Sequence, residues 1–258
     1  MSGFTARPED GAMWITGASE GIGKAVAEAF AAKGFTVYAS ARSKDKLDAF
    51  AMSFQGPGKI VALPLDVTDR DANRKAVDTI IENEGKLAGC ILNAGIFQPV
   101  RGRDLRFEDF DITIDINVNG VINGMIPAVD AMKQAGQGQI AIVSSVAGYG
   151  GLPKNASYGI SKAGLINMCE SLRFDFEKMN IKLQVVCPGF IDTPLTKKND
   201  FPMPFLMDVD VAAQRMVEGM ASDRFEIIFP RKLAYLLKFV NLWAYPIYFW
   251  LVKKTTGG

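Results

Sequence analysis

The sequence contains no histidine. That absence excludes Ser-His-Asp and Cys-His nucleophilic catalysis, and any zinc site that needs imidazole. Cysteine is scarce as well. Cys90, Cys169 and Cys187 lie far apart and show no metal-ligand spacing. They read as buried free thiols in a reducing compartment, which suits a cytoplasmic protein. Net charge is only +1, so the total carries no nucleic-acid footprint. No repeat, low-complexity tract or linker composition interrupts the chain. The first eleven residues hold Arg7, Glu9 and Asp10 but not the apolar run of a secretory signal.

What is present is an alternation of short apolar runs and amphipathic stretches. Strands are expected at Met13–Thr16, Thr36–Ser40, Ile60–Leu65, Gly89–Leu92, Gln139–Val143, Lys182–Cys187 and Phe225–Phe229. Helices are expected at about Gly23–Ala32, Ser43–Ser53, Asp69–Asn83, Phe107–Gln134 and Ser157–Met179. Several strand runs are continuously apolar, as in a parallel sheet covered on both faces. The order predicts an α/β fold of the Rossmann type, a doubly wound, mostly parallel seven-stranded sheet with helices on both faces. At 258 residues, positions 1–232 suffice for one catalytic domain, with a substrate loop at about 190–210.

Two motifs carry chemistry. The first is Thr16-Gly17-Ala18-Ser19-Glu20-Gly21-Ile22-Gly23, between the first strand and the first helix. In that context Gly17 permits a tight turn, Gly21 lets the backbone approach a pyrophosphate, and Gly23 lets helix and strand pack closely. The helix N-terminus offers free N–H groups to an anion. Taken alone, such a turn also fits a strand-to-helix connection without a ligand. The second motif is Tyr158 four residues before Lys162, with Ser145 thirteen residues before the tyrosine. A spacing of four puts Tyr158 and Lys162 on one helix face. A nearby ammonium is expected to lower the tyrosine pKa from about 10, and so let it exchange protons near pH 7. Ser145 would hold the same substrate oxygen.

With Asp66-Val67, Asn93-Ala94-Gly95, Asn117, Ser144-Ser145 and Pro188-Gly189 in order between and after these motifs, the chain resembles the short-chain dehydrogenase/reductases over about residues 12–222. One departure is Leu92 before Asn93-Ala94-Gly95, where the family often has a further asparagine. The resemblance implies reversible hydride transfer between a nicotinamide and a carbonyl or alcohol. It implies that Asn117, Ser145, Tyr158 and Lys162 are catalytic, with Asn117 disturbing its helix and supporting a water relay to the lysine. It implies a cofactor bed of Gly17, Ser19, Gly21, Ile22, Gly23, Asp66, Val67, Asn93, Ala94, Gly95, Tyr158, Lys162, Pro188, Gly189, Ile191 and Thr193. It further implies a homodimer or homotetramer paired through the helices of Tyr158 and Asn117. Local readings compete at two of these positions. Asp66 can cap a helix, although Thr68 and Asp69 are better placed, and Asn117 can be a satisfied core amide.

Cofactor choice rests on the end of the second strand, Ala39-Ser40-Ala41-Arg42-Ser43. No acid stands where one would bond a ribose 2′-hydroxyl, and Arg42 offers bidentate recognition of a 2′-phosphate. The expectation is NADP(H), unless Arg42 is merely solvated. The substrate loop, Phe201-Pro202-Met203-Pro204-Phe205-Leu206-Met207, is apolar and adaptable, and suits a lipophilic substrate or simple core packing.

Residues 233–258 form an apolar extension that the family pattern does not explain. Leu233, Leu236, Leu237, Val240 and Trp243 recur at helical spacing, opposite Ala234, Lys238, Asn241 and Tyr245. Lys238, Asn241 and a break at Pro246 argue against a membrane span. From Arg224 onward six basic residues face one acid, Glu226. The segment is expected to be an amphipathic helix serving as a lid, a subunit contact or a peripheral membrane contact through 233–254.

Overall fold

The computed structural model describes residues 3–198 and 203–256. Seven parallel strands run in the order β3-β2-β1-β4-β5-β6-β7. They are β1 (Ala12–Thr16), β2 (Thr36–Ser40), β3 (Lys59–Ala62), β4 (Leu87–Leu92), β5 (Gly138–Val143), β6 (Ile181–Pro188) and β7 (Glu226–Phe229). The central strands are buried along their whole length. Most of their residues are apolar, and the buried exceptions Gln139, Lys182 and Gln184 are hydrogen-bonded. Strand order reverses between β1 and β4, so their C-terminal ends splay into a crevice.

Helices cover both faces. On one side α1 (Gly21–Ala31), α2 (Lys44–Ser53) and α7 (Val209–Met220) pack around Met13, Ile15, Phe30, Val37 and Met216. On the other, α3 (Arg70–Glu84), α5 (Gly120–Ala135) and α6 (Ala156–Lys178) pack around Trp14, Ile80, Leu92, Met132 and Leu165. Burying side chains of this size contributes roughly 1.5–3 kcal/mol each. Helix α7 was not foreseen, although Asp208 marks its start by accepting bonds from the N–H groups of Asp210 and Val211.

The helix expected over Phe107–Gln134 is interrupted. α4 (Phe107–Ile114) passes through a π-helical turn at Asp115–Asn119 before α5 begins. Together they are long and apolar enough to cross a bilayer, but half of that stretch is buried on the sheet, as for a core helix.

The extension differs more. It forms two helices, α8 (Arg231–Val240) and α9 (Tyr245–Thr256), separated at Asn241–Ala244, and Pro246 sits in the first turn of α9, where proline is tolerated. The face turned inward draws on both stripes, with Leu233 buried next to Ala234. Ala234 is fully buried, Lys238 pairs with Glu226, and the Asn241 amide donates to the Tyr149 carbonyl at 2.7 Å. Leu236 and Trp243 point into solvent instead. Those polar partners on the body decide the orientation, because both stripes carry apolar residues.

Candidate active site

The C-terminal ends of β1, β4, β5 and β6 converge at the crevice. Gly17 and Gly21 adopt left-handed φ values of 67° and 57°, where glycine has no steric cost. α1 then opens at Gly21, and no side chain caps its first N–H groups, which leaves them free for an anion. Gly23 is fixed by packing. A Cβ there would lie 2.3 Å from the Gly17 carbonyl oxygen and 2.6 Å from Asn93 Nδ2. Gly23→Ala is therefore expected to cost about 1–3 kcal/mol through overpacking and to lower the thermal midpoint. An alanine variant with an unchanged midpoint would show that the turn relaxes freely.

Asn93 and Thr16 tie the crevice together. The Asn93 amide donates to the carbonyls of Thr16 and Gly17 at 3.1 and 3.2 Å. Thr16 Oγ1 accepts from the N–H groups of Asn93 and Ala94 at 3.0 and 3.1 Å. The Asn93 side chain is thus bound into the glycine turn, and only its backbone and Ala94 remain to line the crevice. Gly95 lies beneath Asn117 and Lys162, since a Cβ would meet Asn117 Oδ1 at 3.3 Å and Lys162 Nζ at 3.5 Å.

Asp66 closes an Asx turn by accepting from the N–H and hydroxyl of Thr68 at 3.0 and 2.8 Å. The Thr68 N–H, with further help from the Thr68 hydroxyl and the Arg42 guanidinium, holds its carboxyl below the usual carboxylate range. The helix cap itself is Asp69, whose side chain accepts from the Ala72 N–H at 2.9 Å. Val67 is buried against Gly120. Arg42 is exposed at the end of β2. Beyond β6, Ile191 and Thr193 are buried, and Thr193 borders Gly21. The Gly189 N–H donates to the Phe229 carbonyl at 2.8 Å, and a Cβ at Gly189 would strike Leu233 of α8. Of the substrate loop, Phe201 and Pro202 lie outside the described residues. Met207 is pinned to Phe190 and Asp192 by backbone bonds, while Phe205 and Leu206 are exposed. Phe205 and Met207 border a groove of about 780 Å³ with Arg215, Arg224 and Tyr235, away from the tyrosine.

The triplet read from sequence comes together. Ser145 follows β5 and Tyr158 and Lys162 stand on α6. Ser145 stands next to Tyr158. Its hydroxyl accepts from the Ala147 N–H at 3.1 Å and donates to the Pro188 carbonyl at 3.4 Å. Lys162 Nζ lies 5.5 Å from the Tyr158 ring centre and donates to the Val143 carbonyl at 2.9 Å. Ser144 secures the backbone of α6 by donating to the Lys162 carbonyl at 2.7 Å. Asn117 sits fully buried in the π turn. Its Oδ1 accepts from the Ile96 N–H at 2.8 Å, and its Nδ2 donates to the Ile96 carbonyl and to Ser161 Oγ at 3.0 and 3.1 Å. The poor helix former does disturb its helix, and its amide is also satisfied.

Electrostatics differ from the sequence expectation. Burial pushes the Tyr158 hydroxyl up to about 12, against a smaller downward pull from Ser145. Burial pushes the Lys162 ammonium down to about 8. The ring is partly open at the rim, but its surroundings are dense, and desolvation outweighs any ammonium effect on the free protein.

Sequence reasoning missed the neighbours of this cluster. Phe97 packs edge-on to Tyr158, with ring centres 5.3 Å apart. Cys187 is buried beside the triplet and next to Tyr149. Tyr149 in turn donates to Glu226 at 2.7 Å, and Lys238 sits 4.8 Å over its ring. These contacts join β6, the loop after Ser145, β7 and α8, a juxtaposition that no local pattern encodes.

A parallel sheet with a glycine turn at its switch point and a Ser-Tyr-Lys cluster opposite defines a nucleotide-dependent oxidoreductase architecture. The short chain dehydrogenase family model matches residues 12–202, and the chain belongs to that family. It is 39% identical over 185 residues to the 3-oxoacyl-acyl-carrier-protein reductase FabG of Thermotoga maritima, covering 71% of this chain and 75% of that one. It is 33% identical over 235 residues to an uncharacterized oxidoreductase of Myxococcus xanthus, covering 91% and 93%. Among solved structures, a short-chain type dehydrogenase/reductase from Mycobacterium marinum superposes with a TM-score of 0.78 at 27% identity, covering 86% and 94%. The protein is an oxidoreductase of a family that uses nicotinamide cofactors.

Proposed function

We propose that the protein reduces a carbonyl to an alcohol with NADPH, on a lipophilic substrate. The observation that carries this reading is the buried Lys162 ammonium 5.5 Å from the Tyr158 ring with Ser145 alongside, at the crevice that opens over Gly17 and Gly21. The uncapped start of α1 and the left-handed glycines fit a pyrophosphate. Arg42 and the absence of an acid at Ala41 fit a 2′-phosphate. When bound, the nicotinamide supplies the hydride. Ser145 holds the carbonyl oxygen, and Tyr158 hands it a proton. With its hydroxyl pushed up to about 12 in the free protein, Tyr158 is protonated throughout the neutral range and can serve as the acid in the reducing direction. Lys162, with Asn117 supporting the π turn beneath it, returns the proton to the tyrosine. The Asp66-Val67 turn flanks the adenine end, and Pro188, Gly189, Ile191 and Thr193 flank the nicotinamide end.

Phe97, packed edge-on against Tyr158, and the apolar composition of the 201–207 loop support a lipophilic substrate. Its relative's reduction of a 3-oxoacyl thioester makes such a thioester one candidate. Exposed Ile160 and Phe174 on α6 and Phe107 and Ile112 on α4 support pairing into a homodimer or homotetramer. The buried free thiols support a cytoplasmic setting.

The deciding assay is NADPH oxidation against a panel of hydroxysteroid-type ketones, fatty and aromatic aldehydes and 3-oxoacyl thioesters. Turnover with none of them would reject the reading in favour of a nucleotide-binding regulator. Arg42→Ala is expected to weaken NADPH at least tenfold and NADH little, because one charge-assisted bond to the 2′-phosphate contributes about 1.5–3 kcal/mol. Equal losses for the two nucleotides, measured by titration, would count against NADP(H).

A further inference from the structure

The inward sides of α8 and α9 are fully used. Leu233 and Ala234 bury against Val146, Lys238 pairs with Glu226, and the Tyr248 hydroxyl donates to the Gly151 carbonyl at 2.7 Å. The aromatic side chains on the outward sides stand away from the body, and Trp250 has Lys254 over its ring at 5.1 Å. Leu242 is 83% exposed, Tyr245 75%, and Phe249 and Trp250 59% each, with Phe239 and Trp243 also open. Single exposed apolar residues are ordinary, but a continuous aromatic face of this extent marks a contact surface. The rings are already ordered on one another. Phe239 and Trp243 meet edge-on at 5.8 Å, and Tyr245 and Phe249 stack at 5.6 Å.

Charge selects the occupant. From Ile227 to the end of the chain there are five basic residues and no acid. Lys238 is neutralised by Glu226, which leaves Arg231 and Lys232 before the aromatic face and Lys253 and Lys254 after it. A second copy docked through a two-fold axis would bring two copies of the same acid-free, four-cation patch together. An anionic bilayer would neutralise them. Geometry then selects the mode. At 10 and 12 residues, α8 and α9 are about 15 and 18 Å long, well short of a hydrocarbon core of about 30 Å. Two short helices with aromatic residues outward and basic residues at the ends suit the plane of a membrane interface.

We propose that α8 and α9 form a docking surface for an anionic lipid bilayer, with the aromatic side chains at headgroup depth and the four basic residues on lipid phosphates. The claim does not depend on which carbonyl is reduced. Because the inward sides of the same helices hold the 149–151 loop beside Ser145, docking brings the substrate mouth near the lipid phase.

The test uses the full chain and two vesicle types, pure phosphatidylcholine and phosphatidylcholine mixed with phosphatidylglycerol. Flotation is expected with the anionic vesicles and not, or far more weakly, with the neutral ones. Brominated acyl chains should quench Trp243 and Trp250 but not Trp14, which is fully buried in the core. Lys253→Glu with Lys254→Glu should lower partitioning roughly tenfold or more. Phe249→Ser with Trp250→Ser should abolish quenching while both double variants keep the native melting profile. Failure to float with anionic vesicles would overturn the proposal. So would a dimer in sedimentation that dissociates on Phe249→Ser with Trp250→Ser, which would assign the face to a second copy. Equal partitioning of the charge-reversed variant would also refute it.

Discussion

Replacing Tyr158 with phenylalanine should lower turnover by about 10²–10⁴-fold, the range that a positioned acid contributes. Nucleotide affinity should hardly change. The substitution removes one oxygen and keeps the ring, which packs edge-on against Phe97 at 5.3 Å and carries none of the glycine-turn geometry. It also removes a hydroxyl whose ionisation is suppressed by burial, so no folded-state charge is lost near neutral pH. Single-turnover kinetics with saturating NADPH separates the effect from product release. A phenylalanine variant that retains most of its turnover would exclude Tyr158 as the proton donor and leave Ser145 or a water in that role.

Lys162→Met should abolish turnover and, in the free protein, raise stability. Lys162 is 3% exposed and its ammonium is pushed down to about 8 from 10.5 by burial. Below pH 8 both folded and unfolded chains hold the proton, so the folded state carries the full cost of the buried charge, on the order of 3 kcal/mol. As pH rises through 8 the folded lysine releases its proton while the unfolded one keeps it. The cost then shrinks and vanishes above the unfolded value. This contribution therefore makes stability rise with pH between about 8 and 10.5. Cys169 and Cys187, both pushed up to about 12 by burial, act oppositely above about pH 9, because only the unfolded thiols ionise there. The lysine signal is thus cleanest between pH 8 and 9. Methionine should gain stability at pH 7, less the lost bond to the Val143 carbonyl, and flatten the slope from 8 to 9. Urea denaturation at pH 7 and 9 measures both. A methionine variant less stable at pH 7 would mean that the Val143 bond outweighs the buried charge.

Much of this architecture was readable from the chain because its signals are local. Apolar runs such as Met13–Ile15 and Ile140–Val143 read as strands covered on both faces, and they are. Asn117 announced trouble in its helix through poor propensity, and the helix answers with a π turn. What escaped depended on distance along the chain. Asn93 reaches the turn at Thr16 and Gly17 from 77 residues away, so no window of sequence contains both partners. The inner face of α8 could not be read locally for the same reason, since Leu233 and Ala234 come from opposite stripes and Glu226 and the Tyr149 carbonyl help fix which side turns inward. The expected ammonium effect on Tyr158 failed because spacing reports proximity and says nothing of desolvation.

The cross-tie at Asn93 has a thermodynamic meaning for the nucleotide. Four hydrogen bonds lock the ends of β1 and β4 to each other before any ligand arrives. The conformational entropy of arranging a phosphate cradle is then lost during folding and not during association. A bound pyrophosphate meets amides already aimed at it, and its binding energy is left to express itself as affinity. The same lock makes the crevice an all-or-none object. Loosening β1 from β4 would dissolve the cradle and the sheet's central pairing together, so nucleotide binding should report the integrity of the middle of the fold.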